Sequence, residues 1–309
     1  MKFALHLLWL AASASAHIAS WNKGMYCLGG NETGQDSPNN NKPVAPLYQL
    51  EKKEWWMQHH RNCDKMPPPK GEFLELPAGK SFMTELSRNR AFTSFSYNGR
   101  LATDWEDGRH HAYPFRGPGN PAQCMDRNPG NQGGEAHTTS LETTGGTAWA
   151  ISYESDISKV TMENLVVFSV RYYTPLFRKT WYDVPADLPP CPEEGCYCAW
   201  LWIPIGCGIP NMYMQNHRCK VTGSTSTKKL GVPKPPVWCK DDPSLCVTGP
   251  KQMMAWHQKS GNNVEAPWGQ TPTYNQRMGY QDGAQDDIFV DEEKENEKTK
   301  GAKKQGKKN

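Results

Sequence analysis

Apolar and polar positions alternate along Ser81-Phe82-Met83-Thr84-Glu85-Leu86 and again along Ala91-Phe92-Thr93-Ser94-Phe95-Ser96-Tyr97. A period of two predicts strands, here a pair with Asn89 near the turn. Residues 147–153, 165–170, 198–203 and 219–222 carry four further strand-like runs, rich in Val, Ile, Trp and Thr. Between them no apolar repeat of helical period recurs, which argues against a parallel α/β fold. The likeliest-looking helix is short and lies at 54–60 (Glu54-Trp55-Trp56-Met57-Gln58-His59-His60). Short strands joined by long loops predict an all-β chain, specifically an immunoglobulin-like antiparallel β-sandwich with short helices and several disulfides.

The pattern breaks at both ends. Met1 to Ala16 has one early lysine, Lys2, then an apolar run from Phe3 to Ala12, then Ala14-Ser15-Ala16. That is the layout of a secretory signal peptide with a small-residue cleavage site, and the run is too short for a permanent membrane span. Residues 17–80 read as loop-rich, with an Asn/Pro linker at 38–46, and 108–134 is a Gly/Pro/Asn/Arg loop too long for a mere connection. Past Cys246 the core signals fade, and from Gln281 onward the chain is first acidic and then basic, with Ile288-Phe289-Val290 as its single apolar cluster. The expected organisation is a signal peptide at 1–16, one β-sandwich domain at 17–260, and an extended, disordered, charged tail at 261–309.

Composition sharpens this outline. A net charge of +3 argues for neither a nucleic-acid partner nor a membrane surface. Twelve Trp and twelve Tyr accompany 27 Gly and 25 Pro, a mixture that fits strands and loops. All ten cysteines (27, 63, 124, 191, 196, 198, 207, 219, 239, 246) follow the cleavage site, so an exported chain with up to five bridges is expected. Cys239 and Cys246 are close enough to staple a local loop, and Cys196-Tyr197-Cys198 is read as bridge-forming rather than metal-binding. Asn31-Glu32-Thr33 is a glycosylation sequon that fits a secreted, extracellular location.

Cleavage after Ala16 would make His17 the first residue. A terminal histidine carries an α-amino group of reference pKa about 8 beside an imidazole of about 6.5, and the amine and Nδ1 can chelate one metal ion together. Nitrogen donors of this kind suit Cu(II), so one mononuclear copper is the candidate cofactor; the alternative is that His17 merely marks where the signal ends. A further nitrogen is needed, and the chain offers His59, His60, His110, His111, His137, His217 and His257. His59 and His60 are neighbours, about 100° apart on a helix, and read as surface or packing residues. His137 stands out in Gly133-Gly134-Glu135-Ala136-His137-Thr138-Thr139-Ser140, a small-residue turn before a strand; His110 and His111 are the alternative.

The stretch from His17 to Cys27 (His-Ile-Ala-Ser-Trp-Asn-Lys-Gly-Met-Tyr-Cys) resembles the mature start of fungal lytic polysaccharide monooxygenases of auxiliary activity family 14. The likeness continues through Glu54-Trp55-Trp56, residues 73–78, 89–93 and 157–165, Ala199-Trp200-Leu201-Trp202, residues 206–208, Pro210-Asn211-Met212-Tyr213-Met214 and residues 237–242, spanning most of 17–260. The resemblance implies a histidine brace of the terminal amine and imidazole of His17 plus His137, with Tyr213 in the axial direction. It also implies oxidative cleavage of plant cell-wall polysaccharide, with xylan associated with cellulose as substrate, O₂ or H₂O₂ as oxidant and an external electron donor. A monomer is expected, and His17 is a candidate for methylation. Residues 99–134 depart from the family pattern, which leaves the substrate-facing surface less defined than the copper chemistry. The alternatives are a non-catalytic secreted copper-binding protein on the same scaffold and a metal-free carbohydrate-binding protein.

Overall fold

The computed structural model describes residues 17–110, 138, 141–205 and 210–290. Among the described residues nine strands form two sheets. β1 (Ala19–Trp21), β3 (Ser81–Ser87) and β6 (Lys179–Asp183) make a three-stranded antiparallel sheet with β3 at its centre. β2 (Leu74–Pro77), β8 (Tyr213–Thr222), β7 (Cys196–Trp202), β4 (Thr147–Ser152), β5 (Val166–Arg171) and β9 (Gly283–Ala284) follow in that spatial order in a six-stranded sheet. The fold is β-dominated, as expected, but the sheet is mixed: β2 runs parallel to β8.

The six-stranded sheet is buried on both faces, which explains why β4, β5 and β7 read as near-continuous apolar runs. Alternate residues point to different cores. Trp149, Ile151, Cys198, Trp200, Trp202 and Tyr213 face the smaller sheet, whereas Ala148, Ala150, Leu201, Met212 and Met214 face the opposite side. Between the sheets Phe82 packs edge-on against Trp149, with ring centroids 5.5 Å apart, and Trp200 Nε1 donates to Tyr182 Oη at 3.0 Å.

The opposite core is closed by chain that sequence reading had assigned elsewhere. Residues 261–290, expected as extended tail, are folded here: Tyr274, Met278 and Tyr280 are buried in this core, Ile288 is buried in the core facing the smaller sheet, and β9 pairs with β5. Met254 N donates to Tyr274 Oη (3.0 Å) and Tyr280 Oη donates to the Gln252 carbonyl (2.7 Å), so each buried phenol is satisfied. A few large apolar groups spread over polar chain suffice because each enters a core built by other elements. The charged residues 291–309 lie outside the described residues.

Two local expectations also change. Residues 91–97 form no strand; 3-10 turns occupy Arg90–Phe92 and Tyr97–Gly99. Asn89 Oδ1 accepts from Ala91 N, Thr93 Oγ1 donates to the Arg90 carbonyl, and Ser94 N donates to the Glu85 carboxylate. Such local side-chain bonds offer the backbone an alternative to a ladder. The helix at 54–60 is one α-turn, α1 (Lys52–Trp55), with Glu51 and Glu54 forming a capping box, followed by a 3-10 segment Trp56–Arg61. Met57 and Gln58 take left-handed backbone angles there, and Gln58 Nε2 holds the turn by donating to the carbonyls of Met214 (2.7 Å) and Pro43 (3.2 Å).

Bridges join Cys27–Cys63, Cys191–Cys196, Cys198–Cys219 and Cys239–Cys246, the last as the local staple expected. Cys196 and Cys198 each enter a bridge. Cys124 and Cys207 lie outside the described residues.

Candidate functional site

His17 immediately precedes β1, and its position is set by β8. Tyr213, Gln215 and His217 stand on one face of β8, spaced two apart. Gln215 Oε1 accepts from Ser20 N at 2.7 Å, and Gln215 Nε2 donates to the carbonyls of Ile18 and Pro43, both at 3.2 Å. The ring nitrogens of His217 lie 3.0 Å from the carbonyl oxygens of Gln215 and Ser20. Burial holds this ring down at about 4, against the pull of both carbonyls. Further along, Gly24 lets the chain lie against β8: a Cβ there would stand 2.1 Å from the Arg218 carbonyl oxygen. The stretch around β1 is thus tied to β8 through side chains and to β3 through its ladder.

Tyr213 is buried, with its ring stacked on Trp202 at a centroid distance of 4.6 Å. Burial raises its phenol well above the ordinary tyrosine range, and the nearby positive charge of Arg61 opposes that shift only in part. The hydroxyl therefore keeps its proton. Burial, followed by the same Arg61 charge, lowers the His17 imidazole to about 4. A neutral ring presents a lone pair, the form a metal requires. The charge of Arg61 thus acts on both His17 and Tyr213.

Arg61 closes the 3-10 segment Trp56–Arg61. Its Nη2 donates to the Pro46 carbonyl at 2.6 Å, while its Nη1 is buried with no partner. It lines, with His17, Lys42, His60 and Arg88, a cavity of about 610 Å³. His60 Nδ1 sits 3.1 Å from the Glu54 carbonyl oxygen, and burial lowers its ring below the usual histidine value. The reading of His60 as a surface or packing residue agrees with its exposure, but the sequence gives no sign that it and Arg61 line a cavity. Their adjacency on a short helix says nothing of a cavity shared with residue 17.

The remaining histidines separate from this point or fall outside the description. His59 pairs with Asp64 (2.8 Å), His110 is exposed, and His257 stacks on Tyr48. His137 and His111 lie outside the described residues. Thr138, next to His137, is buried with its Oγ1 2.7 Å from that of Thr143. Among the described residues no three His, Cys, Asp or Glu side chains gather as a metal cage. The donor set still fits copper: a neutral imidazole beside a main-chain nitrogen, with a protonated phenol nearby.

The sequence profile of the lytic polysaccharide monooxygenase AA14 family matches residues 1–306. The chain is 38% identical over 287 residues to AA14 family lytic polysaccharide monooxygenase B of Pycnoporus cinnabarinus, covering 90% of this chain and 71% of that protein. It is 38% identical over 287 residues to the protein of the same name from Trametes coccinea, where 90% of this chain meets 63% of the relative, under two thirds of its length. With the Talaromyces rugulosus protein, also named AA14 family lytic polysaccharide monooxygenase B, the identity is 38% over 288 residues, covering 89% of this chain and 94% of the relative. Matches of this extent, over a chain in which a half-buried His17 borders a cavity and Tyr213 is buried on β8, identify the chain as a member of the lytic polysaccharide monooxygenase AA14 family.

Proposed function

We propose that the mature protein begins at His17, is secreted, and is a copper-dependent monooxygenase that cleaves plant cell-wall polysaccharide oxidatively, with xylan associated with cellulose as substrate. One copper ion would be held by the amine and imidazole of His17 and by His137, with Tyr213 as the phenol beside it. The observation that carries this reading is that Arg61 lines one cavity with His17 while its charge also reaches Tyr213, buried at the start of β8. The two sheets, with their shared aromatic core, support an immunoglobulin-like sandwich as the scaffold.

When bound, copper supplies one-electron chemistry that activates O₂ or H₂O₂, using electrons from an external donor, for attack on a glycosidic carbon. The protein's own part is positioning. Gln215 fixes Ile18 and Ser20, and therefore the residue before them, to a rigid strand. Trp202 holds the Tyr213 ring by stacking, and burial keeps its hydroxyl protonated and its charge neutral. Cleavage by oxidation calls for no pair of carboxylates at glycosidase spacing.

The test is electron paramagnetic resonance of the copper-loaded protein beside His137→Ala, with the N-terminus established by mass spectrometry and oxidised oligosaccharides sought from xylan-coated cellulose. A type 2 Cu(II) signal that changes strongly in the variant, together with oxidised products, is expected. Identical spectra would remove His137 from the site. Absence of tight copper binding with His17 free at the terminus would defeat the reading.

A further inference from the structure

The cavity beside His17 has a one-sided charge. Its described lining comprises Lys42, His60, Arg61 and Arg88 alongside His17, with Asn31, Asn41 and Asn89 as polar neighbours, and among the described residues no Asp or Glu lines it. At about 610 Å³ it falls within the ordinary range of sites for small organic groups.

Arg61 shows what is missing there. A guanidinium taken out of water is normally paired, because burying a charge without a partner is costly. Nη2 has the Pro46 carbonyl, but Nη1 is buried without an acceptor, and no carboxylate pairs with Arg61 among the described residues. Desolvation lowers this group to about 10, so it remains a cation at neutral and acid pH. Lys42, exposed at the start of the 3-10 turn Lys42–Val44, adds a second positive charge on the same cavity wall. Arg88 borders the cavity too, its guanidinium 5.2 Å from the centroid of the Phe92 ring. A neutral polysaccharide would bring no charge to the wall lined by Arg61 and Lys42, whereas a carboxylate would bring a counter-charge to both.

We propose that Arg61 and Lys42 form a carboxylate-binding subsite next to His17 that receives a uronic-acid side group of the polysaccharide. This deepens the reading of the chain as a xylan-directed monooxygenase and rests on it. The subsite selects acid-substituted regions of the polymer and sets the distance from a bound uronic acid to the position attacked. Nothing in this recognition requires the metal, so it operates in the copper-free protein.

The test is binding of the mature protein, copper-loaded and copper-free, to cellulose coated with glucuronoxylan or with the same xylan after its carboxyl groups have been reduced to alcohols. The expected result is binding about tenfold tighter to the native polymer at low salt, a ratio that falls toward one as added NaCl screens the exposed lysine. Lys42→Gln should lower affinity for the native polymer about threefold and leave the reduced polymer unaffected. Arg61→Met should remove most of the remaining preference, while Arg61→Lys should retain part of it; if Arg61→Met fails to fold, Lys42→Gln and the polymer comparison still decide. Methyl glucuronide should compete with native xylan, and methyl glucoside should not. Equal binding of the wild-type protein to both polymers, or competition by neither or both glycosides, overturns the subsite. Equal binding beside an intact two-histidine copper spectrum refutes the subsite alone, whereas loss of that spectrum in the wild-type protein refutes the monooxygenase reading beneath it.

Discussion

Replacing Gln215 with methionine keeps the side chain's length and approximate volume and removes its hydrogen bonds. Oε1 accepts from Ser20 N at 2.7 Å, and Nε2 donates to the Ile18 and Pro43 carbonyls at 3.2 Å each. Pro43 keeps Gln58 Nε2 as a donor, so two buried backbone groups, Ser20 N and the Ile18 carbonyl, lose this partner. An unsatisfied buried group costs about 1–3 kcal/mol, which places the expected loss at about 3 kcal/mol after partial relaxation. For a domain of this size that corresponds to a fall in Tm of roughly 6–10 °C. Urea unfolding and calorimetry of the copper-free protein measure it directly, with Gln58→Met as a control that loses bonds to Pro43 and Met214 but none to β1. Calorimetric titration with copper then separates positioning from stability: Gln215→Met should weaken copper binding more than Gln58→Met at equal loss of stability. A stability loss below about 1 kcal/mol, or equal copper affinities in the two variants, would refute the role given to Gln215.

Three other outcomes are expected. His217 has a folded value of about 4 against 6.5 unfolded, so its contribution is complete above pH 6.5 and declines as pH falls toward 4, by up to about 3 kcal/mol. Stability curves of wild type and His217→Gln should converge over that window, and parallel curves would contradict it. Removing the Cys27–Cys63 bridge, which closes a separation of 36 residues, should cost about 3–4 kcal/mol by the loop-entropy account, measurable as a lower urea midpoint in the double serine variant. Tyr280→Ala should cost about 3–5 kcal/mol, and a chain truncated after Ser260 should fail to fold cooperatively by near-ultraviolet circular dichroism; a stable truncated domain would contradict the burial of Tyr274, Met278 and Tyr280.

The strands legible in the sequence were the ones whose own residues carry the signal. Thr147–Ser152 and Val166–Arg171 are buried throughout, so their hydrophobicity announces them without help from their neighbours. Three-residue β1 and two-residue β9 are too short for any period to show, and they exist because distant chain offers them a ladder. Lys179–Asp183 alternates correctly but hides its one dominant core group, Tyr182, between charged and exposed positions. At the site, His17 was legible because a cleavage signal precedes it, and Tyr213 because of family likeness. Gln215 and Arg61 were not: Gln215 meets Ser20 across 195 residues, and Arg61 meets His17 only through the folding of the loop between β1 and β2.

The alternation along β8 has a consequence for how this protein can change. Odd-numbered Tyr213, Gln215 and His217 serve the candidate site and its anchoring, and even-numbered Met212 and Met214 serve the opposite core. Cys219, bridged to Cys198 on the neighbouring strand, fixes the far end of the same frame. One residue added or lost between Tyr213 and Cys219 would exchange these two sets, sending polar groups into the methionine layer. Length variation is therefore confined to the connection between Trp202 and Tyr213 and to the other loops, where new surfaces can be grafted while the strand's parity keeps reading the same.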